Sequence, residues 1–335
     1  IPNSGIYVTF SAGSFSDNDT HSFTTVPSGF NTTAITTGFT NLFAVSGASW
    51  SLGHVAGWAA SAANSATAGS TVGTNTATAV TTHFRFSRWF IDCPTSGSVI
   101  LSGGVAATSA ETDATVATGF AATDDARLAV GAGDYRGASP ISGRLYRRNA
   151  AWIAAARACK EPIGRNISRV RSGSLGAFVP YLYRNEATAS TSLDVNRFVT
   201  LRTFQGKPGY FIARGRTMAS ATSDFSRLAN GRVMDEACSV SYTQLSEYVE
   251  DDVLVNADGT IKEVSAQAVE ADVGQSLSNA IVATGQGSAT SITLSRTQNL
   301  LSTSIMPVTV RVRPKGYMTT LELTVGMQSP TAPEA

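Results

Sequence analysis

Met306-Pro-Val-Thr-Val-Arg-Val-Arg-Pro314-Lys-Gly-Tyr-Met-Thr-Thr-Leu-Glu-Leu-Thr-Val325 is the stretch that decides the fold class. Val308, Val310 and Val312 alternate with polar residues, and Leu321, Leu323 and Val325 do so again after Pro314-Lys315-Gly316. A period of two with a turn between predicts strands at 306–313 and 317–325, an antiparallel hairpin with one buried face. Working backwards, a further strand is expected at 291–295. Two helices precede it, because the apolar period changes. Val264, Ala268, Val273, Leu277 and Ile281 give one over 263–283, and Val233, Ala237, Val240, Leu245, Tyr248 and Val249 give another over 226–253. Asn256-Ala-Asp-Gly259 is the turn between them, with Gly259 suited to a positive φ.

Upstream the pattern is weaker. Ile6-Tyr-Val-Thr-Phe10 is a compact β-prone run between turn residues. The Thr, Phe, Ile and Gly of 24–43 read as short strands, 55–63 as a short helix, and the Ala/Ser/Thr/Gly-rich 64–82 as a loop or weak strand. Strands are expected at 83–91, 99–101, 177–182, 198–204 and 210–214, with Pro208-Gly209 turning between the last two. A strand from Asp124 runs into Gly131 and Gly133, and a helix is expected over 145–160, stopped by Pro162 and Gly164. Strands and helices mixed this way make an α+β chain with mixed or antiparallel sheets and flanking helices. Residues 1–214 form a strand-rich part, and 215–330 a helix-helix-hairpin domain.

In a chain of 335 residues, 42% hydrophobic content supports a sizeable core. No apolar run approaches the roughly 18 residues of a spanning helix. The first residue is Ile1 and not Met, from which the expectation is that something upstream was removed or lies outside this sequence. Net charge is +1 but unevenly spread. Residues 1–126 hold two arginines against seven acids (net −5), 127–232 hold eighteen bases against five acids (+13), and 233–335 hold five bases against twelve acids (−7). Such a skew suits either a nucleic-acid footprint or head-to-tail complementarity between copies of one protein. Arg outnumbers Lys 21 to 4, which favours planar ion pairs at contacts.

Motifs for chemistry are sparse. Cys93, Cys159 and Cys238 lie far apart, so they read as small buried hydrophobes and not as a zinc site or a disulfide framework. His21, His54 and His83 lack a nucleophile-elbow context, since Ser172-Gly-Ser-Leu-Gly176 misses its first glycine. Gly131-Ala-Gly-Asp-Tyr-Arg-Gly137 places its third glycine one position too far for a dinucleotide fingerprint. Aligning Gly259 with the EF-hand glycine puts Leu254 and Ser265 at ligand positions, so calcium fails too. No enzyme activity, cofactor or metal is expected. The basic cluster from Arg144 to Arg171 carries few aromatics, so a protein contact is preferred to nucleic acid.

The order of Tyr210-Phe-Ile-Ala-Arg-Gly-Arg-Thr217, Asp224-Phe-Ser-Arg-Leu-Ala-Asn-Gly-Arg-Val-Met-Asp235, Tyr242-Thr-Gln-Leu-Ser-Glu-Tyr248, Asn256-Ala-Asp-Gly-Thr-Ile261 and the 306–317 strand resembles the C-terminal region of contractile tail sheath proteins of bacteriophages and related injection systems. Ser139-Pro-Ile-Ser-Gly-Arg-Leu-Tyr-Arg-Arg-Asn-Ala-Ala-Trp152 with 165–176 is similar to smaller members of that family. The resemblance spans about 190 residues from Asp124 onward; the extended N-terminal arm expected of the family is absent from this sequence or reduced to Ile1–Phe10.

The resemblance implies a virion tail subunit, assembled in the host cytoplasm, that stacks in helical hexameric rings around a tube and contracts. Its partners would be further copies of itself, the tail tube protein, the baseplate and the tail terminator, with no nucleic acid and no membrane insertion. Strand exchange between subunits would use Ile6, Tyr7, Val8 and Phe10 and Leu321, Leu323 and Val325. Intersubunit charge contacts would fall on Arg144, Arg147, Arg148 and Arg157. Glu247, Glu250, Asp251 and Asp252 are the candidate tube contact. A tail adhesin is the alternative that the Ser/Thr/Gly-rich N-terminal half suggests, and the two long helices fit it poorly.

Overall fold

The computed structural model describes residues 30–45, 50–57, 61–93, 101–102, 105–106, 112–139, 141–319, 322 and 326. Over these the chain is α+β, with seven α-helices and several small sheets. It begins with α1 (Thr32–Ala44), where Asn31 caps the first turn by accepting from Ala34 N at 3.1 Å. Next come β1 (Leu52–Val55), α2 (Ala62–His83) and β2 (Arg88–Cys93). A short pair follows, β3 (Leu101–Ser102) and β4 (Val105–Ala106), then α3 (Asp113–Gly119) and β5 (Leu128–Ala132).

β1, β2 and β5 form a parallel sheet with β2 in the centre. Parallel neighbours need long crossovers, and α2 supplies the first of them. Successive side chains leave opposite faces of the sheet. Trp89, Ile91 and Cys93 with Leu128, Val130 and Ala132 join the core formed with α1, α2 and α3. Phe90 and Ala129 join the opposite core, built on α4 (Ala150–Lys160).

This half departs from the sequence expectations. The 24–43 stretch is helical from Thr32. Of the helix expected at 55–63, Val55 belongs to β1, residues 56, 57 and 61 are not helical and Ala62 opens α2; the supposed loop at 64–82 is most of the 22-residue α2. Small residues make α2 possible. Ala62, Ser65, Ala68, Gly69, Val72, Thr76 and Ala79 are its buried row, and a Cβ on Gly69 would stand 2.9 Å from Leu128 Cδ2. Thr67, Thr71, Thr74 and Thr78 bond back to the carbonyl four residues earlier at 3.0–3.2 Å, which satisfies their hydroxyls locally.

β6 (Asp134–Ala138) and β7 (Leu145–Asn149) form a hairpin, and α4 starts straight after it with Asn149 as cap. The helix expected over 145–160 is therefore strand for its first five residues. β8 (Tyr181–Leu182) joins the other edge of β6. β9 (Leu201–Phe204) and β10 (Lys207–Ile212) make the next hairpin. Its reversal falls at Gln205-Gly206, where Gly206 takes φ +75°, and Pro208-Gly209 lie inside β10 at a register shift.

The last unit follows its pattern closely. α5 (Leu228–Ser246) and α6 (Glu263–Leu277, continuing as a π-turn through Ala283) pack against β11 (Ala289–Leu294), α7 (Leu300–Thr303) and β12 (Val308–Arg313). Gly259 sits at φ +80° in the connecting turn, its amide bonded to Asn256 O at 3.0 Å. The hairpin is the exception. β12 pairs antiparallel with β11, Val310 opposite Ile292, while Tyr317–Thr319 carry no strand pairing. The expected partner residues Leu321, Leu323 and Val325 lie outside the described residues, as do Ile6–Phe10.

A buried ion trio ties the parallel sheet to this last unit. Arg88 Nε lies 2.8 Å from Asp235 Oδ2, and Arg127 Nη1 lies 2.9 Å from Asp235 Oδ1. Arg88 also donates to Ala126 O, and burial lowers its pKa. Asp235 is thus a core residue, 4% exposed.

Candidate functional site

A strongly basic groove of about 930 Å³ lies among the described residues. One wall is the loop after α4, where Arg165, Arg169 and Arg171 project. Pro162 and Gly164 end the helix there, and Asn166 Oδ1 accepts from Ser168 N (3.1 Å) and Ser168 Oγ (2.9 Å), which closes the turn. The opposite side brings Arg202 from β9, Arg214 and Arg216 from the Arg-Gly-Arg loop after β10, and Arg227 from the residue before α5. The segment after β12 adds Lys315. Tyr317 pins that segment by donating to Gly164 O at 3.0 Å, while the Arg227 guanidinium lies 5.2 Å from its ring.

Eight cations line this groove and no carboxylate does. Two acids stand behind it. Glu161 is buried and pairs with Arg165 and Arg157, each at 3.1 Å. Burial alone would raise its pKa, but hydrogen bonds from Arg165 and Ser172 and the Arg157 charge hold it below the ordinary value. Asp194 lies 3.0 Å from Arg214 and 3.8 Å from Arg216, and burial still leaves its carboxyl raised. Arg216 is lowered first by burial, and the neighbouring Arg214 and Arg227 charges add to the shift. The crowding of like charge is the signature of a site for an anionic partner.

The arginines expected as one contact cluster separate. Arg144 is exposed in the turn before β7. Arg147 reaches Asp134 at 2.7 Å, with its guanidinium 4.3 Å from the Tyr183 ring. Arg148, on the other face of β7, lies 4.7 Å from the Trp152 ring. Arg157 is buried and paired to Glu161, so it offers no surface for a charge contact. Other bases of the middle segment stitch the interior: Arg184 binds Asp113 (2.7 Å) and Glu186 (2.6 Å), and Arg197 donates to Thr123 O and Met218 O. The groove itself escaped sequence reading, because its walls come from five separated segments; the basic cluster from Arg144 to Arg171 supplied only the Arg165, Arg169 and Arg171 wall.

Glu247, Glu250, Asp251 and Asp252 are all exposed beyond the C-terminal end of α5. His54 Nε2 lies 2.8 Å from Asp92 Oδ1, and its ring meets Trp152 edge-on at 5.0 Å. The nearby Ser65 hydroxyl donates to the Asp92 carbonyl, not to the imidazole. His83 stacks on Phe43 at 4.5 Å. Among the cysteines only Cys93 is buried; Cys238 is half-buried and Cys159 exposed, against the expectation for all three. Among the described residues no helix is long and apolar enough to cross a membrane and no acidic, His or Cys cluster has the makings of a metal site.

The parallel sheet flanked by helices and followed by a helix-helix-sheet unit has a counterpart of similar fold among solved structures. It is similar to a chain of the PVC sheath complex of an extracellular contractile injection system in the contracted state, with TM-score 0.51 and 11% identity over 77% of this chain and 68% of that one. A chain of the anti-feeding prophage baseplate, 6-fold symmetrised, gives TM-score 0.48 and 12% identity over 79% of this chain. This protein spans 66% of that baseplate chain. By sequence, residues 224–332 match the family model described as DUF2586, C-terminal domain. The search of curated proteins gives no match.

Proposed function

We propose that this chain is the structural subunit of a contractile sheath that polymerises in helical rings around a tube. The observation that carries the reading is the open outer edge of β12, in a fold shared with a sheath subunit. β12 alternates half-buried Val308, Val310 and Val312 with exposed Thr309, Arg311 and Arg313, and among the described residues only β11 pairs with it. An unpaired edge accepts a further strand from another chain. The parallel sheet has a second such edge at β1, which among the described residues pairs only with β2.

Ile6, Tyr7, Val8 and Phe10, or Leu321, Leu323 and Val325, supply the donated strands. Rings connected in this way slide during contraction without separating. The useful free energy is then the difference between two sets of interfaces, and no catalytic group is required. The exposed Arg144, with Arg148 and Trp152, belongs to the lateral contacts.

Electron microscopy of the purified chain at low and high salt tests this. Hollow tubes or stacked six-fold rings are expected, and deletion of Ile1–Phe10 is expected to abolish long tubes while leaving the far-ultraviolet circular dichroism unchanged. Compact trimers, or full-length tubes from the deletion variant, would refute the sheath reading or the strand-exchange reading respectively.

A further inference from the structure

α5 carries charge at both ends with the sign opposite to what its own dipole favours. Helices gain from acids in the first turn and bases in the last. Here the cap residue is Arg227, the first turn has no acid and the last turn no base. Glu247 is the C-cap, and Glu250, Asp251 and Asp252 follow within five residues. Each misplaced charge weakens the helix on its own. Such a placement finds its compensation outside the helix.

At its N-terminal end α5 is set in the molecule: Leu228, Ala229, Gly231, Arg232, Val233 and Asp235 are buried, and Arg227 lines the basic groove. The last buried residue is Ser241, and from there the helix emerges. The loop beyond it exposes Val249 (70%) and Leu254 (60%) between the acids, with Val264 (74%) beside them. Exposed branched apolar residues among acids give this end of the helix a knob with both apolar and acidic contact groups. Between 242 and 262 there are five acids and a single base, Lys262. No ion pair forms at Glu247, Glu250, Asp251 or Asp252 among the described residues.

The groove and the knob thus terminate one 19-residue helix, about 28 Å apart at 1.5 Å per residue. They cannot meet within a chain while that helix is intact.

We propose that the acidic knob 247–254 of one copy docks into the basic groove of the next. The contact is heterologous, groove to knob, so it leaves a free groove at one end of every assembly and a free knob at the other and propagates as an open chain. The knob provides four carboxylates for Arg169, Arg171, Arg202 and Lys315, which form no ion pair among the described residues. Val249 and Leu254 fall against the Phe204 and Met318 of the groove lining. This deepens the sheath reading by naming one inter-subunit contact. It rests on that reading for the ring geometry alone.

Two charge-reversed full-length chains test it. One carries Glu250→Lys, Asp251→Lys and Asp252→Lys; the other carries Arg169→Glu, Arg171→Glu, Arg202→Glu and Lys315→Glu, which with Glu161 and Asp194 behind leaves the groove net acidic. Thermal melting first establishes that both fold. Each alone is expected to need at least tenfold more protein to assemble at low salt, by sedimentation velocity. An equimolar mixture is expected to recover assembly, because the basic knob of the first fits the acidic groove of the second.

Normal assembly by either single variant overturns the proposal, as does a mixture that stays dispersed. In the latter case loss of binding to a short DNA duplex or to tubes would identify the other occupant. Wild-type tubes that tolerate both reversals leave the sheath reading intact and remove this contact. Open wild-type chains without rings, lost on reversal and restored on mixing, establish the contact and remove the sheath.

Discussion

α2 and α6 are both long helices packed on sheets, and they are held by opposite means. α6 turns Val269, Val273 and Leu277 inward, and the neighbouring Ile281, Ala266 and Leu294 complete an aliphatic core. α2 buries alanine, serine, glycine and threonine, and its stability comes from how closely its axis approaches Leu128 and Phe120. A helix of branched aliphatics announces itself by period, whereas a helix of small residues is defined by the surface it lies on. The difference teaches that low side-chain volume here is an instruction for close approach and not for flexibility.

The junction between the two halves gives the largest way to break this arrangement. Asp235→Ala removes the carboxylate shared by Arg88 and Arg127 and strands a buried guanidinium, at a cost of about 3–5 kcal/mol. Urea unfolding should show either that loss or two separated transitions. A single transition with an unchanged midpoint would mean that the halves are not coupled through this trio.

Next in size is a paired test of the two helices. Leu277→Ala opens a cavity in the aliphatic core and should cost about 2–5 kcal/mol. Ala68→Leu overfills the α2 contact and should cost about 1–3 kcal/mol. Were Ala68→Leu to stabilise the protein, the close-approach account of α2 would be wrong.

The smallest effect is on pH. Glu161 and Glu270 both sit below their ordinary value; in Glu270 the cause is first its hydrogen bond from Arg296. A depressed carboxylate stabilises above its unfolded pKa of about 4.3, and that contribution fades as pH falls through the lower folded value. Thermal midpoints should therefore be flat near neutrality and fall below about pH 4. Asp194, raised by burial, works in the other sense and softens the fall. Replacing Glu270 by Gln should flatten the acid limb, and an unchanged limb would assign it elsewhere.

The C-terminal unit was legible in the sequence because its side chains report their surroundings: Val308, Val310 and Val312 have a sidedness that only a strand satisfies, and Gly259 marks its turn. The partner of that strand was not legible. Alternation says which face is buried and nothing about which edge is paired, so the Pro314-Lys315-Gly316 turn pointed to the 317–325 segment and away from the pairing with β11. The α2 helix was hidden for a different reason, since Ala, Ser, Thr and Gly carry too little hydrophobic contrast to show a period.

Charge divides in the same way. The sequence by itself determined that the middle third is strongly basic and the last third acidic. Only the tertiary structure decided which arginines are consumed inside, as Arg157, Arg184 and Arg197 are, and which converge from five segments on one groove. Local patterns are set by neighbours three or four residues away, whereas a groove wall is set by long-range packing that places Arg169, Arg214 and Lys315 side by side.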